Sequence, residues 1–416
     1  MKVCNSIVSI IILLLGLSGA AERSWAQAST QSTGSFDFNS DGVIFQSADS
    51  ATRVTMRFRM QNWATYTTKT MGEDDDLDLS AGSTDMVTRR LRMRFGGTLV
   101  DPRLTFNLQL SFSRSDMDWN DTQFPNIIRD AMVFWNFSRD LQIGFGQTKL
   151  PGNRQRVVSS ADLEIPDRSI VNGAFNLDRD FGFQGFWRPI TGDVVVNLRA
   201  AISSGDGRNQ PVIPGGGLAY TGRIEVLPFG AFTGGGDYFE GDILREKSPK
   251  LSVGLSYQRN DRQTKTRGTL GRPLFAQRSS NVAYADALFK YSGLSIYAEY
   301  AQRSSDDPVT FRDTTRREAS AIFVGTGYMA QISYVFPSMW NIAARYAVVD
   351  AGSQLAGLKL SEYNKQTNIS AVVGYYFNRH RVKANVETGT NRTVQYNRNN
   401  VLETNYYARF NVELGI

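Results

Sequence analysis

The chain ends in "NYYARFNVELGI" (Asn405–Ile416), and every second residue repeats the same choice. Tyr406, Ala408, Phe410, Val412, Leu414 and Ile416 form an apolar row; Asn405, Tyr407, Arg409, Asn411, Glu413 and Gly415 form a mostly polar one. A strand points successive side chains to opposite faces, so this segment separates apolar surroundings from polar ones along its whole length.

The alternation recurs upstream. In "RVTMRFRMQNWATY" (53–66), Val54, Met56, Phe58, Met60, Ala64 and Tyr66 share one parity, and Arg53, Thr55, Arg57, Arg59 and Gln61 the other. "RRLRMRFGGTLV" (89–100) sets Leu91, Met93, Phe95 and Leu99 against Arg90, Arg92, Arg94 and Thr98. "RLTFNLQLSF" (103–112) continues with Leu104, Phe106, Leu108 and Leu110 against Thr105, Asn107, Gln109 and Ser111. Each run meets the ~9–11 residues that a tilted membrane-crossing strand needs.

The connections alternate in length. The acidic "TKTMGEDDDLDLSAGSTDM" (68–86) is followed by a turn at Asp101-Pro102, then by the polar "SRSDMDWNDTQFP" (113–125). Short turns recur as "SRD", "RPITGD", "LPFG", "YSG", "FPSMW" and "FNRH". Short turns at one end and long loops at the other are the pattern of outer-membrane barrels, with the short turns periplasmic. Sixteen strands are counted from Arg53 to Ile416. The fold expected is an all-β transmembrane antiparallel β-barrel, because an open sheet edge in hydrocarbon leaves backbone groups without partners. At that size the interior holds an aqueous channel. A secreted sandwich or β-solenoid would not need an apolar outer parity on every strand.

The N-terminus reads as an export signal: Lys2, the apolar "IVSIIILLLGLSGAA" and the small-x-small Ser24-Trp25-Ala26. The expected organisation is a signal peptide over 1–26, a periplasmic N-terminal segment over 27–52 and the barrel over 53–416. The run is shorter than the ~20 residues of a spanning helix. Cys4, the only cysteine, lies inside the signal, so the mature chain offers no disulfide, thiolate nucleophile or thiolate metal ligand. The single histidine, His380, sits in a turn where solvation is expected. No glycine-rich cofactor motif follows a strand and opens a helix, so neither an enzyme nor a cofactor is expected.

Taking residues 1–26 away removes Lys2, Arg23 and Glu22 from 46 basic and 40 acidic residues, leaving 44 against 39. Parity places Arg53, Arg57, Arg59, Arg90, Arg92, Arg94 and Arg409 in the lumen on strands that adjoin once the barrel closes. Arg199, Arg223, Arg345 and Lys383 add positive positions; Asp130, Glu225, Glu299, Glu387 and Glu413 are the acidic ones. A basic wall of low dielectric constant concentrates anions, and guanidinium forks suit phosphate oxygens. The segment 146–185, "GQTKLPGNRQRVVSSADLEIPDRSIVNGAFNLDRDFGFQG", is too long for a plain loop and is of a kind that folds into a wide barrel. The basic "QRNDRQTKTRGTLGRPLFAQRSS" (258–280) reads as an extracellular loop, an anion funnel or a ligand for lipopolysaccharide phosphates.

The runs "GQTKLP", "PDRS" and "RDFGFQG", preceded by "IIRDAMVFWNF" and "TRRLRMRFGGTL", resemble the phosphate-selective porin O and P family, and further matches span essentially the whole mature chain. The resemblance implies a trimeric sixteen-stranded outer-membrane barrel of a Gram-negative bacterium whose third loop narrows the pore. It implies an inward-folded constriction loop over about 149–180, with Lys149, Arg154, Arg156, Arg168 and Arg179 as its basic residues. The partners implied are small anions, phosphate first, and outer-membrane lipid; no nucleic acid is expected. Two features depart from the family pattern: five acids (Asp162, Glu164, Asp167, Asp178, Asp180) balance those five basic residues, and the chain ends in Ile416 rather than an aromatic residue. The balance leaves a general-diffusion or sugar porin as the alternative. Mass spectrometry of the exported protein should find the mature N-terminus at Gln27, with Met1–Ala26 missing.

Overall fold

The computed structural model describes residues 34–416, except 40–41, 73–75, 117–125, 192, 211–216, 316–317, 357–359, 361–362 and 398–399. The signal sequence lies outside the described residues, as do part of the acidic stretch after Gly72 and most of 113–125. Sixteen barrel strands run in chain order. They are β1 Arg53–Met71, β2 Ser83–Leu99, β3 Asp101–Ser111, β4 Ile128–Asn136, β5 Leu141–Lys149, β6 Arg179–Trp187, β7 Val194–Ser203 and β8 Ala219–Leu227. The second half comprises β9 Lys250–Arg267, β10 Leu270–Tyr291, β11 Leu294–Ser304, β12 Gly325–Val335, β13 Trp340–Ala351, β14 Asn364–Asn378, β15 Val382–Gln395 and β16 Val401–Gly415.

Each strand pairs antiparallel with its neighbours, and β16 returns to β1 from Glu403↔Met71 to Gly415↔Arg59. The seam ends in a reciprocal pair: Ile416 N–H donates to Phe58 O at 3.0 Å and Phe58 N–H to Ile416 O at 3.2 Å. Below that point the edge of β1 is not left open. The strand Ser35–Asn39 pairs antiparallel with Gly42–Gln46, which in turn pairs onto β1 from Val43↔Met56 to Gln46↔Arg53. Register puts Phe36, Phe38 and Phe45 on the face of Val54 and Met56, and all three are exposed.

The terminal alternation has the expected sense. Phe410 and Leu414 are 50% and 42% exposed on the outer face, whereas Asn411 and Glu413 are 0% and 1% exposed inside. An inner row this inaccessible means the lumen is filled on that side, because a water-filled tube would leave it wet. Much of the apolar core lies inside the barrel: Leu150, Val171, Phe175 and Leu177 of the β5–β6 connection pack with Tyr284, Tyr297, Met329 and Ala347 of the wall.

Three expectations fail. The stretch 258–280 is not an irregular loop: β9 extends to Arg267 and β10 starts at Leu270, with Gly268 (φ +73°) at the tip. Polar residues on both faces hid these strands, which continue with register shifts between Asn260 and Arg267. The turn read at "LPFG" continues to Pro249 before β9 starts. His380 is buried: its Nε2 lies 3.0 Å from Glu240 O and its ring stands against Tyr376 and Phe239.

Val386 and Phe410 face each other across β15 and β16 on the outer surface. Arginine on a lipid-facing position near mid-membrane costs about 2–4 kcal/mol. Phe410→Arg should therefore lower the folded yield on unheated gels. Asn107→Asp should not, since Asn107 points inward and accepts from Arg94 Nε at 2.7 Å.

Candidate functional site

The β5–β6 connection crosses the lumen. Pro151 follows the last β5–β6 pair, Lys149↔Arg179, and Ser169 caps a short helix, Ile170–Phe175, by accepting from Asn172 N–H at 3.2 Å. Phe175 settles over a strand position with no side chain: a Cβ on Gly327 would come within 2.8 Å of its ring. Burying Phe175 and Leu177 contributes about 1.5–3 kcal/mol each.

Hydrogen bonds tie the connection to distant parts of the ring. Asn153 Nδ2 donates to Glu299 Oε1 on β11 at 2.9 Å, and Arg154 Nε donates to Asp286 Oδ1 on β10 at 2.6 Å. Lys383 Nζ on β15 donates to Leu163 O at 2.6 Å, and Arg345 Nη1 on β13 to Asp167 O at 3.0 Å. On the basic wall Gln61 Nε2 reaches Pro166 O at 3.1 Å, Arg59 Nη2 reaches Ser160 O at 2.6 Å and Arg90 Nη2 reaches Asp167 Oδ1 at 2.6 Å.

Two cavities adjoin this crossing on the side of β1 to β5. One, of about 320 Å³, is lined by nine basic side chains and three carboxylates, Asp116, Asp167 and Asp178. The other, of about 150 Å³, holds Arg57, Arg59, Arg92, Arg94 and Arg381 against Asp162 and Glu413. Arg92 borders both. Its guanidinium donates to Asp116 Oδ2 at 3.0 and 2.5 Å and to Ser160 Oγ at 2.9 Å, which fixes it between wall and loop.

Many of the charges are paired. Glu413 accepts from Arg59 Nε at 2.5 Å, Asp116 also meets Arg129 at 3.0 Å, Asp167 takes both Arg89 and Arg90, and Asp178 takes Arg156 and Arg179. Arg179 further reaches Asp130 Oδ1 at 2.9 Å. Lys149 and Arg168 are held by carbonyls. Lys149 Nζ donates to Val157 O at 3.1 Å and Val158 O at 3.0 Å; Arg168 donates to Gln155 O at 2.7 Å and Val158 O at 2.8 Å. A carbonyl orients a cation without cancelling its charge, so the larger cavity keeps a positive potential. The loop's own acids do not offset it equally. Asp180 accepts from Ser204 Oγ and Gly205 N–H at 2.6 Å each, and Glu164 faces Asn341 and Gln331 of the opposite wall.

Of the basic residues read from the sequence, Arg57, Arg59, Arg90, Arg92, Arg94, Lys149, Arg156, Arg168 and Arg179 border the two cavities. Arg154 does not: it is buried against Asp286 and Glu225 on the far wall. Arg409 stacks on the Trp63 ring at 4.2 Å and binds Glu387 at 2.8 Å, lining neither cavity. Arg89, Arg129 and Arg208 of the larger cavity, and Arg381 of the smaller, escaped the reading. Arg89 and Arg129 sit at register shifts, between Gln61 and Asn62 opposite β2 and between Gln109 and Leu110 opposite β4. A bulge adds a residue to one strand and re-aims its side chain, so each shift turns an extra arginine inward that strict parity assigns to the lipid.

The phosphate-selective porin O and P family model matches residues 65–411. No curated protein matches the chain. Among solved structures, the outer membrane channel DcaP of Acinetobacter baumannii is 14% identical with a TM-score of 0.55, over 87% of this chain and 97% of that one. OmpF of Salmonella typhi, solved with daunomycin, is 12% identical with a TM-score of 0.51, over 87% of this chain and 98% of that one. At these identities the two structures support the barrel fold alone.

Asp167 is the carboxylate shared by Arg89 and Arg90. Asp167→Asn should keep the barrel folded, raise the positive charge beside the crossing loop and move the reversal potential under a salt gradient further in the anion direction, measured in planar bilayers.

Proposed function

Since the chain belongs to the phosphate-selective porin O and P family and is an outer-membrane porin, we propose that its channel passes small anions, phosphate among them, along the wall of β1 to β5. The observation that carries this reading is the larger cavity, where nine basic side chains meet three carboxylates and where Lys149 and Arg168 are bound by carbonyls. An anion passing from one cavity to the other keeps guanidinium donors beside it, with Arg92 common to both. The β5–β6 connection then acts as the constriction. A passive route needs no reacting group, and the Arg and Lys positions act by stabilising charge that has shed water. We further propose a homotrimer, the assembly that the family resemblance of the sequence implies.

The neutral sum of charges between Lys149 and Asp180 favours the alternative, a general-diffusion or sugar porin. The two readings part in a planar bilayer. Under a KCl gradient the anion reading expects a reversal potential set by chloride, and phosphate added to one side should lower the chloride current. Lys149→Gln combined with Arg168→Gln should move the reversal potential toward potassium. A channel without ion preference and with no phosphate effect would favour the sugar porin.

A further inference from the structure

The connection between β8 and β9, residues 228–249, emerges at the end of the short turns but does not stay there. Its backbone contains a 3₁₀ segment, Thr233–Tyr238, in which Gly234 (φ +58°) and Gly235 (φ +73°) adopt the left-handed conformation that suits glycine. Lys290, an inward residue of β10, is buried and donates through Nζ to Gly236 O and Phe239 O at 2.8 Å each and to Gly241 O at 2.6 Å. An ammonium has three protons, and here all three are spent on one segment. Asp242 fastens the other limb, accepting from Gly293 N–H of the neighbouring turn at 2.7 Å. Glu246 accepts from Thr233 N–H at 2.7 Å and closes the segment on itself.

The tip then meets the crossing loop. Glu240 N–H donates to Asp162 O at 2.8 Å, and the Glu240 carboxylate accepts from Glu164 N–H at 3.1 Å and Gln155 Nε2 at 3.2 Å. Arg154, which lines neither of the two cavities, donates to Asp237 O at 2.9 Å. The approach is close at Gly241 (φ +69°), where a Cβ would lie 2.9 Å from Glu164 Oε1. Inner residues of the wall around this meeting place, such as Glu225, Ser252, Glu299 and Gln331, are buried, whereas Arg57 and Arg94 across the lumen are exposed.

We propose that residues 228–249 are a plug of the periplasmic end that fills the β8–β12 side of the lumen, confines solute to the basic wall and, through Glu240, holds the crossing loop at its working position. The proposal rests on the porin reading, but it concerns which part of the lumen conducts and not which ion is preferred.

The test compares the full-length protein with a variant in which residues 231–247 are replaced by a short Gly/Ser turn, and with Glu240→Ala and Lys290→Met, each checked for folding by mobility on unheated gels. Single-channel conductance and reversal potential are read in planar bilayers. The shortened plug should raise conductance and bring the reversal potential toward zero, because solute gains a route away from the arginines; the two point variants should move both readings in the same direction. Point variants that fold and keep the conductance and reversal potential of the unmodified protein would overturn the proposal even if the shortened form did not fold. A silent unmodified protein beside a conducting shortened one would support the plug while ending the passive-porin reading. If no form conducts, both readings fall.

Discussion

Backbone hydrogen bonding in a medium without water is the constraint from which this molecule follows. Hydrocarbon offers no partner to a peptide group, so every strand needs two neighbours, and the sheet must return to its start. The seam between β16 and β1 meets that demand as far as the last residue, where Ile416 and Phe58 exchange their N–H groups. Once closed, the sheet divides side chains by parity alone, which is why a terminal dodecapeptide discloses the architecture of the whole chain. The inner space left by sixteen strands is too wide for wall side chains to fill, and connections enter it, the β5–β6 and β8–β9 segments among them.

What the sequence made legible is whatever has a period of two. The barrel, its closure and the inward direction of Arg57, Arg92 and Glu413 follow from alternation, since lipid accepts only an apolar outer row. Bulges at Arg89 and Arg129 break the period by one residue and so were invisible, though each adds a cation to the larger cavity. The inward course of 228–249 is illegible for a different reason: "LPFG" is a sound turn signal, but the following polar and glycine-rich residues carry no mark of whether they go outward or inward. The destination of Arg154 was equally hidden, because its partners Asp286 and Glu225 lie far away in sequence.

Charge pairing inside the barrel divides into two kinds. On the far wall Arg154 and Arg223 are enclosed with Glu225 and Asp286, an arrangement that fixes one geometry and leaves little net field. Beside β1 to β5 the cations outnumber the carboxylates, and several act as bridges to the crossing loop. The same residue type thus serves as fastening on one side and as field source on the other, and the difference lies in how many acids each cluster holds.

The N-terminal strand pair has a bearing on how such a chain assembles. Its contact with β1 joins residues 7 to 13 positions apart, from Gln46↔Arg53 to Val43↔Met56, whereas the seam joins Arg59 to Gly415. Local pairs form ahead of distant ones because the loop to be closed is shorter. The strand Gly42–Gln46 occupies the lower edge of β1 up to Met56, so β16 extends along that edge only as far as Phe58, where Ile416 pairs. A one-residue slip would exchange the lipid and water faces of β16, so a fixed stop at the foot of the seam is a ruler for the shear of the barrel, carried by a strand next to β1 in sequence and read by one more than 350 residues away.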